Sequence, residues 1–276
     1  MTARLAVLGS PIAHSQSPAL HAAAYGVLGL PWRYDAVEVG DGELEGFLAG
    51  LDQAWRGLSL TMPLKREVLP LLDSRSAMVD RVGAANTVLL DTSGRHGFNT
   101  DVGGIVDAFR EAGIGSLESV QLLGAGATAA SVLVAAAELG ATSALVSARE
   151  PERARSLEPV AAAEGIELAI RPLGIMDRSL VVPSAVISTL PGGADVDVSY
   201  PEAVRSGSAL LDVAYGHGPS RLAAAWEDAG GTVVTGLHML LHQAIRQVRI
   251  FVTGTEDGSL EQESRVVAAM RAAVGL

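Results

Sequence analysis

The segment from residue 119 to residue 137, SVQLLGAGATAASVLVAAA, carries no charged side chain. A membrane-spanning segment needs about 20 apolar residues in one continuous helix. Here the β-favouring run VQLL stops at Gly124 and Gly126, and an alanine-rich helical pattern follows. The segment therefore predicts a short buried strand, a glycine turn and a buried helix. A G-x-G-x-x-G-like turn in this context indicates a dinucleotide-binding α/β fold.

The glycine turn GAGATA (124–129) has the residue types that a bound pyrophosphate requires. Gly124 permits the tight turn, and Gly126 lets backbone amides approach the pyrophosphate at a helix N-terminus. Ala129 takes the place of the third glycine and is small enough for close helix packing. The alternative is an ordinary glycine turn between a strand and a helix. The residues predicted to bind this part of the cofactor are Gly124, Ala125, Gly126, Ala127 and Thr128.

The end of the following strand, SARE (147–150), predicts which dinucleotide is bound. Folds that bind NAD usually place an acid there for the ribose 2′-hydroxyl, whereas folds that bind NADP often place an arginine. Ala148 ends the strand and Arg149 follows it, with Arg153 one helical turn further on to assist in holding a 2′-phosphate. NADP is therefore the predicted cofactor. Glu150 opposes this interpretation, and the alternative is that Arg149 only faces solvent.

Strand and helix patterns alternate through both halves of the chain, which predicts two α/β domains. We assign residues 1–101 with 237–276 to a substrate-binding α/β domain with a mostly parallel sheet. Residues 102–236 are assigned to a Rossmann-type, doubly wound dinucleotide-binding domain. The predicted strands cover residues 5–9, 32–39, 57–61 and 86–90 in the first domain and 120–124, 143–148, 167–172, 185–190, 209–214 and 232–236 in the second.

Helix signals lie between most of these strands. Ser17 and Pro18 predict an N-cap and a first-turn proline for the first helix. Two closing helices are expected to return to the first domain. The other predicted helices lie near 41–51, 64–72 and 105–113, and the closing pair within 237–254 and 259–276.

Composition excludes several partners and site types. The chain has 31 acidic against 20 basic side chains and a formal charge of −11, so no nucleic acid and no membrane partner is expected. It has no cysteine, which rules out disulfides and thiolate sites. The apolar run in the N-terminal sequence MTARLAVLGS is too short for a signal peptide, and a cytoplasmic location is expected. We expect a monomer or a homodimer that binds a small molecule.

Lys65 is the only lysine, against nineteen arginines, and lies in GLSLTMPLKRE (57–67). A lysine can give up and take a proton when its surroundings shift its pKa, whereas arginine stays charged. A single lysine therefore indicates proton-transfer chemistry. The alternative is that it survived by chance at a helix start.

Ser15 and Ser17 follow the first buried strand, in PIAHSQSP. Ligands of α/β folds bind at the carboxyl ends of strands, and two hydroxyls near a helix start suit a carboxylate. The alternative is that Ser17 only caps the helix. Because the cofactor half begins after residue 100, the preceding domain is expected to hold the substrate, with hydride delivered across a cleft.

Seven short segments stand out along the chain: GSPIAHSQSPALH (9–21), SLTMPLK (59–65), GAANT (83–87), FNTD (98–101), GAGATA (124–129), DVAY (212–215) and GLHMLLHQA (236–244). Together they resemble the shikimate dehydrogenase family. They follow the family's order over nearly the whole chain, so the combination is specific although each segment alone is weak. The resemblance implies reversible reduction of 3-dehydroshikimate to shikimate with NADPH, in the aromatic amino-acid pathway.

The resemblance also implies roles for individual residues. Lys65 would give the proton and Asp101 would orient its ammonium group. Ser15 and Ser17, helped by Tyr215, would bind the substrate carboxylate. A polyhydroxylated ring needs both donors and acceptors, which the remaining side chains supply. The residues implied at the ring hydroxyls are Thr61, Lys65, Asn86, Asp101 and Gln243, and those implied at the nicotinamide are Val213 and Gly236.

Several positions depart from the family's pattern. Ser59 can still form hydrogen bonds, but over a shorter reach than the usual asparagine. Of the family's asparagine–arginine–threonine triplet at the cofactor, only Arg149 is retained. The other departures are Ala127 for a glycine, Ala130 for a frequent arginine and His217 for the proline after Tyr215.

Other activities fit less well. His238 and His242 have the i, i+4 spacing of zinc ligands, but residue 239 is methionine and no third ligand is evident, so no metal is expected. No G-x-S-x-G pattern supports a serine hydrolase. The remaining alternatives are an NAD-using quinate/shikimate dehydrogenase, a broad-specificity paralogue, and a non-catalytic ligand-sensing module on the same fold.

Overall fold

The computed structural model describes residues 2–174, 181–192, 198–216 and 218–276. The chain divides into two compact units, Met1–Gly104 with Leu240–Leu276 and Ile105–Met239. The first unit therefore ends at 104 where the sequence predicts 101, and the second at 239 where the sequence predicts 236.

The strands and helices are numbered in chain order. The strands are β1 (Arg4–Gly9), β2 (Arg33–Glu38), β3 (Trp55–Leu60), β4 (Ser74–Arg75), β5 (Thr87–Asp91), β6 (Gly94–Phe98), β7 (Ser119–Leu123), β8 (Ser143–Ala148), β9 (Glu167–Pro172), β10 (Ala185–Ser188), β11 (Ala209–Asp212) and β12 (Thr232–Thr235). The helices are α1 (Ser17–Val27), α2 (Leu44–Ala49), α3 (Leu64–Glu67), α4 (Ala77–Val82), α5 (Asp101–Glu111), α6 (Ala127–Glu138), α7 (Pro151–Ala154), α8 (Glu158–Ala163), α9 (Glu202–Gly207), α10 (Arg221–Asp228), α11 (Gly236–Thr253) and α12 (Glu263–Val274).

The sheet of the first unit has the order β2-β1-β3-β5-β6-β4. β1 pairs in parallel with β2 and β3, and β4 pairs in parallel with β6. β5 pairs antiparallel with both of its neighbours, β3 and β6. The prediction of a mostly parallel sheet is confirmed, but the sequence did not predict β4 and β6. The hairpin of β5 and β6, which carries the chain to Asp101, was therefore not predicted either.

Both faces of this sheet are covered. Successive side chains of a strand point to opposite faces. In β1, Leu5 and Val7 belong to a core cluster that includes residues of α1, α11 and α12. Ala6 and Leu8 belong to a second cluster that includes residues of α2, α3 and α4. This arrangement explains why β1 is apolar from Leu5 to Leu8 rather than alternating with polar residues.

Two helix predictions in this unit need correction. Ser17 is the first residue of α1 rather than its cap, and Gln16 occupies the N-cap position without a side-chain hydrogen bond. The helix expected over 64–72 ends at Glu67 and continues as a 3₁₀ turn over Leu69–Leu71. Pro70 accounts for the change, because proline has no amide hydrogen and its ring clashes with the carbonyl four residues earlier.

The sheet of the second unit is parallel throughout, with the order β12-β11-β10-β7-β8-β9. Counted from β7, this is the 3-2-1-4-5-6 order of the doubly wound dinucleotide-binding fold. The prediction of a Rossmann-type domain is confirmed. The uncharged run 119–137 forms β7 and most of α6, as expected. Within the described residues, no helix has both the length and the apolar character to cross a membrane.

Candidate active site

In the first unit, four chain segments meet at one edge of the sheet, where β1, β3 and β6 end and β5 begins. The amide of Thr61 donates to the carbonyl of Leu8 at 2.9 Å, which joins the ends of β1 and β3. The amide of Leu60 donates to the carbonyl of Asn86 at 2.8 Å, and the amide of Asn86 donates to the carbonyl of Phe98 at 3.1 Å. The edge therefore brings together residues that are far apart in the sequence.

Lys65, Asp101 and Asn86 are hydrogen-bonded to one another at this edge. The Nζ of Lys65 donates to the Oδ2 of Asp101 at 2.5 Å, and the Nδ2 of Asn86 donates to its Oδ1 at 2.8 Å. The side chains of Lys65 and Asp101 are only 12% and 4% exposed. Both oxygens of the carboxylate are thus engaged, and the ammonium group is held in one direction while part of it stays accessible.

Gln243 and Thr100 lie next to this group. The Oε1 of Gln243 accepts hydrogen bonds of 3.4 Å from the Nδ2 of Asn86 and from the Oγ1 of Thr100. The Nε2 of Gln243 donates to the carbonyl of Leu240 at 2.9 Å. Thr61, half-buried, follows β3 at the same edge. The structure therefore places Thr61, Lys65, Asn86, Asp101 and Gln243 in the same part of the first unit.

The loop after β1 carries Ser15 and Ser17. The Oγ of Ser15 accepts a hydrogen bond of 3.3 Å from the amide of Ser17, whose side chain is buried. Glu38, which the sequence did not single out, fixes this loop. Its carboxylate accepts from the hydroxyl of Ser10 at 2.6 Å and from the amide of Ile12 at 3.0 Å. Because Ser17 is the first residue of α1 and not its N-cap, the alternative that it only caps the helix is not supported.

In the second unit, the glycine turn has the predicted geometry. Gly124 has a φ of +100°, which L side chains rarely adopt, and a Cβ there would lie 2.6 Å from the Oγ1 of Thr189. A Cβ at Gly126 would meet nothing within 4 Å, and no side-chain hydrogen bond caps α6. Ala129 is fully buried, as expected for its packing role. The first amides of α6 are therefore open to an anion.

The turn after β8 contains the predicted cofactor-specificity residues. Ala148 is buried at the strand end, and Arg149 and Glu150 are exposed. The Nε of Arg153 lies 2.8 Å from the Oε2 of Glu150. Glu150 therefore forms an exposed ion pair with Arg153.

Val213 and Gly236 lie close together at the ends of β11 and β12. A Cβ at Gly236 would clash with the carbonyl oxygens of Val213 and Ala214. Glycine therefore allows α11 to start immediately beside β11. Tyr215 is half-buried two residues beyond Val213. His217 lies outside the described residues.

The two histidines of α11 have other partners. The Nδ1 of His238 lies 2.8 Å from the Oγ1 of Thr235, and its Nε2 lies 4.0 Å from the Oε1 of Glu111. Over the part of the chain that the structure describes, no group of three or more histidine, aspartate or glutamate side chains is arranged to hold a metal.

Several polar residues behind the site were not found from the sequence. Gln247, Thr87 and His21 are buried and hydrogen-bonded among themselves or to Asn86. A glutamine on the apolar face of α11 is the only signal the sequence offers, and its partners lie 160 and 226 positions away.

Comparison with known proteins identifies the family. The model of the shikimate dehydrogenase substrate binding domain matches residues 7–88. The NADP(+) shikimate dehydrogenase of one Thermus thermophilus strain is 35% identical over 275 residues, covering 99% of both chains. Two crystal structures share the fold. The Mycobacterium tuberculosis shikimate dehydrogenase is 35% identical with a TM-score of 0.81, covering 98% of this chain and 99% of that one. The shikimate 5-dehydrogenase of a second Thermus thermophilus strain, in complex with NADP(H) and shikimate, is 32% identical with a TM-score of 0.80, covering 99% of this chain and 100% of that one. The chain belongs to the shikimate dehydrogenase family.

Proposed function

We propose that the protein catalyses the reversible, NADPH-dependent reduction of 3-dehydroshikimate to shikimate. The observation that carries this proposal is the Lys65–Asp101–Asn86 group, held at the sheet edge of the unit that contains the matched substrate binding domain. A structure of a relative contains NADP(H) and shikimate together, which supports the same substrate and cofactor here.

The residues at the edge of the first unit would bind the substrate. The hydroxyls of Ser15 and Ser17 are proposed to hold its carboxylate. Asn86 and Gln243 offer carboxamide donors and acceptors, which suit ring hydroxyls. Thr61 adds a hydroxyl at the end of β3, next to the α3 helix that carries Lys65.

The second unit has the features that a dinucleotide needs. The open N-terminus of α6 and the turn formed by Gly124, Ala125, Gly126, Ala127 and Thr128 suit a pyrophosphate. Arg149 is proposed to contact the 2′-phosphate of NADP, next to Ala148 and with Arg153 nearby. Val213 and Gly236 are proposed to lie against the nicotinamide. When bound, NADPH would supply the hydride for the carbonyl carbon.

Lys65 is proposed to give the proton that this reduction requires. As the carbonyl carbon gains hydride, its oxygen develops negative charge, and a proton from Nζ would convert it into the alcohol. In the reverse direction the amine would take that proton back. Asp101 would keep the ammonium of Lys65 directed at the reacting oxygen, because the two carboxylate oxygens of Asp101 are hydrogen-bonded to Lys65 and Asn86.

The test is a comparison of the parent with Lys65→Met, which keeps much of the apolar stem but has no amine. With 3-dehydroshikimate and NADPH, turnover followed by nicotinamide absorbance should fall by about 100-fold to 10,000-fold, the range of general acid catalysis. Arg66→Ala is the matched control, because Arg66 is the adjacent, exposed cation on α3. Near-parent turnover of Lys65→Met would overturn the role of Lys65.

The same assay separates the alternatives. A parent that binds shikimate without turnover would be a ligand-sensing module, whereas a parent that turns over quinate with NADH would belong to the quinate/shikimate branch. A cytoplasmic location and a monomer or homodimer are part of the proposal. Cell fractionation and light scattering test these two points.

A further inference from the structure

Gln247 lies on α11, one helical turn after Gln243, and is 2% exposed. Its Oε1 accepts a hydrogen bond of 2.8 Å from the hydroxyl of Ser59 and lies 3.3 Å from the Nε2 of His21. Its Nε2 donates to the carbonyl of Asn86 at 3.2 Å and to the Oγ1 of Thr87 at 2.9 Å. A carboxamide has two donors and two acceptor sites. All four are used, so the side chain has one orientation.

The surroundings of His21 fix the direction of these hydrogen bonds. Burial lowers the pKa of His21 from 6.5 to about 3, so its ring is neutral at physiological pH. A neutral ring has one donor and one acceptor nitrogen. Since the carboxamide oxygen of Gln247 only accepts, Nε2 carries the hydrogen. The Nδ1, 3.0 Å from the hydroxyl of Tyr25, then accepts from it.

A continuous path of hydrogen bonds leads from Gln247 to the site. Thr87 accepts from Gln247 and donates to the Oδ1 of Asn86 at 2.8 Å. With its oxygen engaged in this way, Asn86 must turn its Nδ2 towards Asp101. Asp101 in turn holds the ammonium of Lys65. The amide of Thr100 also donates to the Oδ1 of Asn86, at 2.9 Å. Gln247 therefore acts through Thr87, together with the Thr100 amide, to keep the Nδ2 of Asn86 facing the carboxylate.

Ser59 on β3 holds the oxygen of the Gln247 carboxamide. The Ser59 hydroxyl accepts from the hydroxyl of Tyr34 at 2.6 Å and donates to the Oε1 of Gln247 at 2.8 Å. Because this oxygen is held from β3, the Nε2 of Gln247 faces Asn86 and Thr87.

We propose that Gln247 is a positioning residue for proton transfer, because it orients Asn86 and, through Asn86 and Asp101, the ammonium of Lys65. The inference rests on the proposed function and deepens it. Gln247 does not touch the site's ammonium itself, so its effect is on the geometry of the reacting group. Misplacement of such a group by about 1 Å can cost on the order of 100-fold in rate.

The test compares the kinetics of Gln247→Met with those of the parent. Methionine fills a similar volume without hydrogen bonds. We expect kcat to fall by about tenfold, while KM for shikimate changes by less than about threefold, because Asn86 is one of several proposed ligand contacts and the others remain. Thr87→Val interrupts the same path of hydrogen bonds at a second place with little change of shape. It should also lower kcat more than it changes KM, even if Gln247→Met folds poorly.

Two further variants separate positioning from packing. Val248→Ala is the control, since Val248 is the adjacent, fully buried apolar residue of α11. It should lower the melting temperature while kcat stays within about twofold. Ser59→Asn, added to Gln247→Ala, returns a carboxamide from β3 and should restore most of the lost kcat.

The outcomes are distinct for the two proposals. A parent without shikimate turnover would refute the proposed function, and this inference with it. A fully active parent with an equally active Gln247→Met would overturn only the positioning role. The same conclusion would follow if Val248→Ala lost as much kcat as Gln247→Met, because the effect would then be one of packing.

Discussion

At the scale of single residues, Arg153 pairs with Glu150, and the exposed Arg149 is the cation that we propose contacts the 2′-phosphate. Hydrogen bonds to charged groups contribute about 1.5–3 kcal/mol each. Arg149→Ala should therefore lower kcat/KM with NADPH by at least about tenfold and change the value with NADH little. Steady-state assays with both cofactors measure this ratio.

Arg153→Ala is the matched control for this prediction. Its removal frees the carboxylate of Glu150, which repels a phosphate, so a smaller loss with NADPH is expected than in Arg149→Ala. Equal losses with both cofactors in Arg149→Ala would show that the arginine does not discriminate between them.

The residues that could be predicted at this scale share one property. Lys65, Asn86 and Asp101 lie in short motifs at strand or helix ends, and the sheet edge brings them together. Gln247 and Glu38 have no such motif. Each acts through partners more than 20 positions away, which only the tertiary structure reveals.

At the scale of elements, α1 carries the buried His21, and this affects stability in acid. The unfolded chain takes up a proton near pH 6.5, whereas the folded ring does so only near its pKa of about 3. The folded state therefore loses stability as the pH falls between these values. The complete loss would be up to about 5 kcal/mol.

Urea unfolding of the parent and of His21→Gln at pH 7 and pH 5 measures this effect. Glutamine can form hydrogen bonds in the same place but does not titrate. The stability of the parent relative to the variant should fall by about 2 kcal/mol between the two pH values. His14→Gln, which changes an exposed histidine, is the control. An unchanged difference for His21→Gln would contradict the buried, neutral ring.

Elements with a strong periodic pattern were predicted well, and the others were not. The apolar strands of the second unit and the long helix α11 were found to within a few residues. β6 was missed because GRHGF contains two glycines and no regular alternation. β4 was missed because it has only two residues. Both are stabilised by their neighbours in the sheet rather than by their own sequence.

At the scale of the whole molecule, the assignment of substrate to the first unit and of cofactor to the second can be tested by hydrogen–deuterium exchange. A ligand at 100 times its Kd adds about 2.7 kcal/mol to the stability of the state that binds it. With shikimate alone, fast-exchanging amides within 57–67 and 84–101 should slow down. With NADP alone, those within 122–130 and 147–153 should slow down. The opposite pattern would reverse the assignment.

Both passages of the chain between the units occur inside helices, at 104/105 in α5 and at 239/240 in α11. A helix that is cut leaves up to about four carbonyls without partners at the new C-terminal end and up to about four amides at the new N-terminal end. A fragment that stopped at either boundary would therefore begin or end with a damaged helix. The second unit could be expressed alone only with α5 and α11 complete, from residue 101 to residue 253, and it would then carry Asp101, Gln243 and Gln247 away from Lys65.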